Sequence, residues 1–113
     1  MKWQPGRQGT GYFKLPIIVS KRLGFDVYVL KYPPDSWIDY HTDPVPGKKH
    51  YRLNVILKQA DGGEFVKMQD GKFRCQPGRV HFFRPDIEAH AVCLVEEGTR
   101  YVLSIGWVRN VPD

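Results

Sequence analysis

Apolar and polar residues alternate over short stretches of this chain, and the alternation is repeatedly interrupted. Runs rich in Val, Ile, Tyr and Phe occupy 26–32, 37–43, 51–58, 64–68, 72–75, 79–84, 89–95 and 99–108. Between them stand turn-forming clusters: Tyr32-Pro33-Pro34-Asp35, Asp43-Pro44-Val45-Pro46-Gly47, Asp61-Gly62-Gly63, Asp70-Gly71 and Gln76-Pro77-Gly78. A period of two, bounded by Gly, Pro and Asp, predicts β-strands. Eight strands at this spacing predict an all-β barrel or sandwich and are enough for a jelly roll. Segment 13–23 reads either as one short helix or as an extra strand, because Pro16 breaks a helix while Ile17, Ile18 and Val19 are β-branched.

Residues two apart on a strand share a face, so His41 and Asp43 point the same way. On the last run Arg100, Val102, Ser104 and Gly106 share one face, while Tyr101, Leu103, Ile105 and Trp107 share the other. Likewise Arg52, Asn54 and Ile56 oppose Tyr51, Leu53, Val55 and Leu57. With the polar rows inward, both strands present apolar outer faces, and the stretch carrying Phe13, Leu15, Ile17 and Ile18 is the available cover. An ordinary barrel has the reverse arrangement. A polar interior predicts a charged ligand held inside.

Composition adds the setting. The 113 residues form one domain, 1–113, with a core at about 26–108, and 13% aromatics allow a dense interior. Seventeen Lys and Arg against 12 Asp and Glu leave a formal charge of +5, which suits anionic small molecules, nucleic acid or acidic protein and does not choose among them. The opening MKWQPGRQGTGYFK has no apolar run, and no stretch approaches the length of a membrane span. A soluble cytoplasmic protein with no membrane partner is expected. Cys75 and Cys93 do not form a CxxC pair and read as free thiols.

The candidate chemistry lies in His41-Thr42-Asp43, inside WIDYHTD, and His90, inside EAHAV. Two imidazoles and one carboxylate can occupy one face of an octahedral ion and leave three positions open. Each piece alone is ordinary: an HxD triplet arises by chance, a lone His is more often a satisfied polar residue, Arg100 alone is a surface charge, and Gly62-Gly63 is a turn. Their ordered combination, with matching strand parity, carries the reading. His50 and His81 read as loop or edge residues. Arg84, in FFRPD, either anchors a substrate or supports the turn before His90.

The order Tyr32, His41-Thr42-Asp43, Arg52-Leu53-Asn54-Val55, Gly62-Gly63-Glu64-Phe65, Pro77-Gly78, His90-Ala91-Val92 and Gly98-Thr99-Arg100-Tyr101 resembles the core of Fe(II)/2-oxoglutarate-dependent oxygenases, especially the prolyl-hydroxylase-like branch. The resemblance covers roughly 26–108. It implies a double-stranded β-helix of eight strands, with His41 and Asp43 near the second, His90 on the seventh and Arg100 on the eighth. It implies Fe(II) held by His41, Asp43 and His90, and 2-oxoglutarate and O2 as cosubstrates. It further implies that Arg100, ten positions after His90, pairs with the far carboxylate of 2-oxoglutarate, that Tyr32 hydrogen-bonds the same molecule, and that Arg52 and Asn54 help line its pocket. The implied reaction is hydroxylation of a substrate with release of succinate and CO2.

Two departures qualify the likeness. Aspartyl/asparaginyl hydroxylases, whose Arg-x-His offers a looser parallel to Arg52 and Asn54, lack the metal-binding carboxylate that Asp43 supplies here. Ile38 stands where many prolyl hydroxylases carry a tyrosine, which argues against a prolyl substrate. The short loops around 33–37, 44–50 and 69–73, with Trp37, Lys48, Lys49 and Arg84, predict an open basic mouth suited to a peptide residue or a nucleic-acid base. Two other readings stay open. One is a cupin-like metal protein without 2-oxoglutarate chemistry, which has no need of Arg100. The other is a basic nucleic-acid-binding β-barrel in which Trp37, Tyr40 and Arg52 make the contacts.

Overall fold

A computed structural model describes residues 2–110. The predicted turns fall where Gly and Pro interrupt the pattern, and the runs between them become strands: β1 (Gln4–Pro5), β2 (Phe13–Ser20), β3 (Phe25–Tyr32), β4 (Ile38–His41), β5 (Lys48–Lys58), β6 (Asp61–Gly62), β7 (Phe65–Gln69), β8 (Lys72–Cys75), β9 (Val80–Phe83), β10 (His90–Val92), β11 (Val95–Glu97) and β12 (Arg100–Asn110). The described residues contain no helix, and none of them forms a helix long and apolar enough to cross a membrane.

The strands form two facing sheets. One runs β1-β2-β3-β12-β5-β9, the other β4-β10-β7-β8, and a small β11-β6 pair lies beside them. The eight strands β3, β4, β5, β7, β8, β9, β10 and β12 match the eight runs of the sequence, and they alternate between the sheets except for the β7–β8 hairpin, which stays within the smaller one. Asp43 belongs to the second run but lies outside its strand, since β4 stops at His41.

Of segment 13–23, Phe13–Ser20 is a strand. A turn over 21–24, closed by the Gly24 N–H on the Ser20 carbonyl, returns β2 antiparallel to β3. Pro16 is tolerated because β1 covers only Phe13 and Lys14, so the rest of β2 is the outer edge, and the register shifts between Pro16 and Ile18. The expected cover is therefore absent. β2 extends the large sheet sideways and does not lie over it, and Ile17, Ile18 and Val19 are themselves exposed.

The strand faces follow the predicted parity. Arg52, Asn54 and Ile56 of β5 and Arg100, Val102 and Ser104 of β12 line a cavity between the sheets, together with Asp26, Tyr28, Leu30 and Tyr32 of β3. Behind the cavity Tyr32, Ile56, Phe65, Phe83, Val92, Val95 and Val102 form the buried apolar cluster. Phe65 and Phe83 meet at 4.8 Å between ring centres, tying the two sheets together. The neighbours Phe82 and Phe83 on β9 point opposite ways, 53% and 3% exposed. Phe83→Ala should cost about 3–5 kcal/mol in urea unfolding, and Phe82→Ala much less. Equal costs would contradict the assignment of strand faces.

Candidate metal centre

Backbone pairing brings the two histidines together: His41 of β4 stands directly opposite His90 of β10, and their ring centres are 4.3 Å apart. Each ring is oriented by its own strand. Nδ1–H of His41 donates to the Asp39 carbonyl at 2.7 Å, and Nδ1–H of His90 donates to the Glu88 carbonyl at 2.8 Å. A carbonyl can only accept, so Nδ1 carries a proton in both rings, and Nε2, turned toward the cavity, donates to Asp43 when protonated or offers its lone pair to an ion when not. The Gln8 side chain locks this strand segment from outside, accepting the Asp39 N–H at 2.7 Å and donating to the Asp39 carbonyl at 3.1 Å.

Asp43 is aimed at the two histidines by the loop after β4, where its N–H donates to the Pro85 carbonyl at 2.6 Å. Its Oδ2 lies 3.4 Å from His41 Nε2 and 3.5 Å from His90 Nε2, while Oδ1 accepts from Arg7 Nη2 at 3.1 Å. One oxygen is thus taken and the other is free to ligate. Burial alone would raise the Asp43 pKa, but hydrogen bonds and charge from His41 and His90 hold it well below the usual carboxylate range. His41 is shifted upward, chiefly by Asp43.

The three donor atoms all lie within 4.8 Å of one another. Ligand atoms about 2.1 Å from an ion in adjacent positions are about 3 Å apart, so two imidazole nitrogens and one carboxylate oxygen fit a divalent transition ion bound on one face. The cavity around them, about 600 Å³, is of ordinary size for a small-molecule site.

The other sequence candidates divide into two groups. Arg100 is 5% exposed, lines the cavity, and has no hydrogen-bond or ion-pair partner among the described residues. Its guanidinium lies 5.8 Å from the Tyr32 ring centre, and burial lowers its pKa. Gly63 makes this placement possible: its φ is 75°, and a Cβ there would come 3.1 Å from Arg100 Cδ and 2.9 Å from Val95 Cγ2. Tyr32 is buried, stacks on Tyr12 at 5.7 Å, and has its phenol pKa pushed up by burial, which keeps it a neutral hydrogen-bond donor.

Arg52 is partnered. It bonds both oxygens of Asp26, at 2.8 and 3.1 Å, and Ser104 Oγ at 2.7 Å. Asp26, Gly106 and Arg52 occupy one rung of three adjacent strands. A Cβ at Gly106 would lie 2.2 Å from Arg52 Nη2, so only glycine lets the guanidinium cross β12 to reach Asp26. Asn54 shares a rung with Ser104 and His81, and its buried Oδ1 has no partner.

The histidines read as loop or edge residues are buried on strands. His50 lies inside β5 and His81 on the edge strand β9; both line the cavity, and burial lowers both pKa values. His50 Nδ1 donates to the Asp43 carbonyl at 3.3 Å. Sequence reasoning also missed Arg7, Gln8 and Asp26, for Arg7 lies 36 residues from the carboxylate it braces. Arg84 is ion-paired with Asp86, and Trp37 and Tyr40 are exposed.

We expect one divalent ion per chain, with Mn(II) as a spectroscopic probe, and at least a hundredfold weaker binding in His41→Ala or His90→Ala. Because the bound imidazole must be deprotonated and His41, bonded to Asp43, holds its proton to a higher pH than an ordinary histidine, affinity should fall as the medium is acidified and His41 takes up its proton. Affinity constant from pH 5.5 to 8, or unchanged in either variant, would contradict the ligand set.

No protein-family model matches the sequence, and no curated protein matches it. Solved structures do. The chain superposes on a Pseudomonas putida prolyl-4-hydroxylase with a TM-score of 0.75 at 18% identity, covering 98% of this chain and 79% of that one. A Burkholderia pseudomallei protein of the 2OG-Fe(II) oxygenase family matches with a TM-score of 0.72 at 17% identity, covering 96% and 71%. A cupin protein from Desulfovibrio desulfuricans matches with a TM-score of 0.61 at 17% identity, covering 92% and 87%. The fold is therefore the double-stranded β-helix that oxygenases and cupins share.

Proposed function

We propose that this protein is an Fe(II)- and 2-oxoglutarate-dependent oxygenase of the prolyl-hydroxylase-like branch, hydroxylating an extended target such as a peptide residue or a nucleic-acid base. The observation that carries the reading is Arg100, a buried cation without an ion-pair partner among the described residues, which faces the same cavity as His41, Asp43 and His90. An unpaired buried charge costs several kcal/mol, so the site favours an anion that reaches both it and the metal. A dicarboxylate with a chelating 2-oxo acid end does so. A cupin without this cosubstrate gains nothing from such an arginine, although the fold alone suits it equally.

In this reading His41, Asp43 and His90 hold the iron, which when bound supplies activation of O2 coupled to oxidative decarboxylation of 2-oxoglutarate to succinate and CO2. Arg100 presents two parallel N–H groups to the far carboxylate, which fixes the molecule's direction in the cavity. The neutral Tyr32 hydroxyl donates to the same group. Asn54, with its unsatisfied amide oxygen, lines the wall beside the cosubstrate. Arg52 also lines the wall, but its charge is already met by Asp26, so it shapes the cavity and leaves the carboxylate to Arg100. Nδ1–H bonds to Asp39 and Glu88 keep the two imidazoles aimed, and the apolar cluster around Phe65 and Phe83 excludes water behind them.

The reading of the chain as a nucleic-acid-binding barrel with Arg52 on the phosphates loses support, since Arg52 is turned inward. Arg100→Ala should weaken 2-oxoglutarate binding to the iron-loaded protein by about 2–5 kcal/mol in calorimetry. Iron affinity should stay unchanged, and Arg100→Lys should restore binding only in part. A weak visible charge-transfer band on anaerobic addition of 2-oxoglutarate should appear in the wild type alone. Equal binding in wild type and Arg100→Ala overturns the proposal.

A further inference from the structure

One end of the large sheet carries a second concave surface, about 550 Å³, formed where the β2–β3 turn meets the start of β5 and the end of β12. Lys21, Arg22, Lys48, Lys49 and Arg109 line it, and no carboxylate does. None of the five has an ion-pair partner among the described residues. Lys49 and Arg109 stand directly opposite each other on β5 and β12. Like charges in that position repel, and no carboxylate among the described residues pairs with either. An arrangement that destabilises the free protein becomes favourable when an anion bridges the pair.

Beside these cations, on the outer face of the sheet, lies an aromatic row. Tyr51 and Trp107 are register partners, stacked at 6.0 Å with 16° between planes, and Phe82 of β9 stacks on Tyr51 at 6.1 Å and 27°. The Lys49–Arg109 rung is two residues along the strands from the Tyr51–Trp107 rung, about 7 Å. That offset resembles the separation of a nucleotide's charge from its planar face. Arg84 sits 5.1 Å above Tyr51, but Asp86 already takes its charge, so it is left out of the cationic set. Lys48 leads back to the metal site, for only the loop 44–47 separates it from Asp43.

We infer that this lip binds single-stranded nucleic acid, with Lys21, Arg22, Lys48, Lys49 and Arg109 on the phosphates and Tyr51, Phe82 and Trp107 as the stacking platform. The exposed Phe82 ring, with the half-buried Tyr51 and Trp107 beside it and unpaired cations next to it, offers unpaired bases both a stacking surface and charge, whereas an acidic peptide uses only the charges and a duplex hides its base faces. Assigning the polymer as the oxygenase's substrate rests on the function proposed above; the binding does not.

The test is fluorescence anisotropy with labelled twelve-nucleotide DNA and RNA single strands, using the full chain with and without iron. Single strands should bind at least tenfold more tightly than the matching duplex, whether or not iron is present. Lys49→Glu combined with Arg109→Glu should weaken binding tenfold or more, and the pair of Gln substitutions should reduce the slope of log affinity against log salt by about 0.7 for each cation removed. Phe82→Ala, at an exposed position, should weaken binding several-fold even at high salt, with an unchanged thermal melt. The inference is overturned if charge reversal leaves binding intact, if duplex binds as well as single strand, or if polyglutamate or anionic phospholipid vesicles compete as effectively as unlabelled oligonucleotide. Retained 2-oxoglutarate binding with no nucleic-acid binding removes this inference alone. Nucleic-acid binding without iron or 2-oxoglutarate binding leaves the surface and removes the oxygenase.

Discussion

Side chains two apart on a strand share a face, and in β5 and β12 that rule turns the usual barrel inside out. Arg52, Asn54, Arg100 and Ser104 point into the cavity, while Tyr51, Leu53, Leu103 and Trp107 point away. Interior charge must then be compensated locally, and how each charge is compensated determines what the cavity can hold. Asp43 is met by two imidazoles and Arg7, and Arg52 by Asp26 and Ser104. Arg100 has no hydrogen-bond or ion-pair partner among the described residues and lies only against the Tyr32 ring. A slip of one residue in either strand would exchange the two faces, so the long β5–β12 pairing, in unbroken register from Val102 to Asn110, protects the chemistry as well as the fold.

The apolar cluster and the polar cavity share the space between the sheets without mixing. Phe65, Phe83 and Val92 lie behind His90, so the candidate metal-binding side chain rests against a packed wall that limits its motion. Neutral, buried His50 and His81 soften the transition between the two regions, supplying polar atoms without charge. Two glycines set the positions of the two arginines. Gly63 gives Arg100 room at one end, and Gly106 lets Arg52 cross a strand at the other.

The eight strands and their faces were legible because their signals are local: alternation marks a strand, and Gly or Pro marks its end. The pairing of His41 with His90 was legible only through a motif order, since 49 residues separate them and no periodicity reports a cross-strand neighbour. What stayed hidden was long-range or conditional. Segment 13–23 carried β-branched residues and a proline, and only its edge position made the strand possible. His50 and His81 looked peripheral because a histidine beside lysines or arginines resembles a surface residue; parity with Arg52 and Asn54 on β5 would have placed His50 inside. Asp26, the partner of Arg52, gave no signal, because charge pairing across three strands depends on a glycine between them.

The hairpin of β1 and β2 reaches farther than its size suggests. Through Arg7 and Gln8 it holds the outer oxygen of Asp43 and the backbone that orients His41, so both braces lie upstream of the eight-strand core. A fragment trimmed to that core would keep every ligand and every strand of the β-helix and still lose the clamp on two of the three metal-binding side chains. The candidate metal site therefore draws part of its support from outside the eight strands, and a change close to residue 7 acts on Asp43 as well as on the terminus.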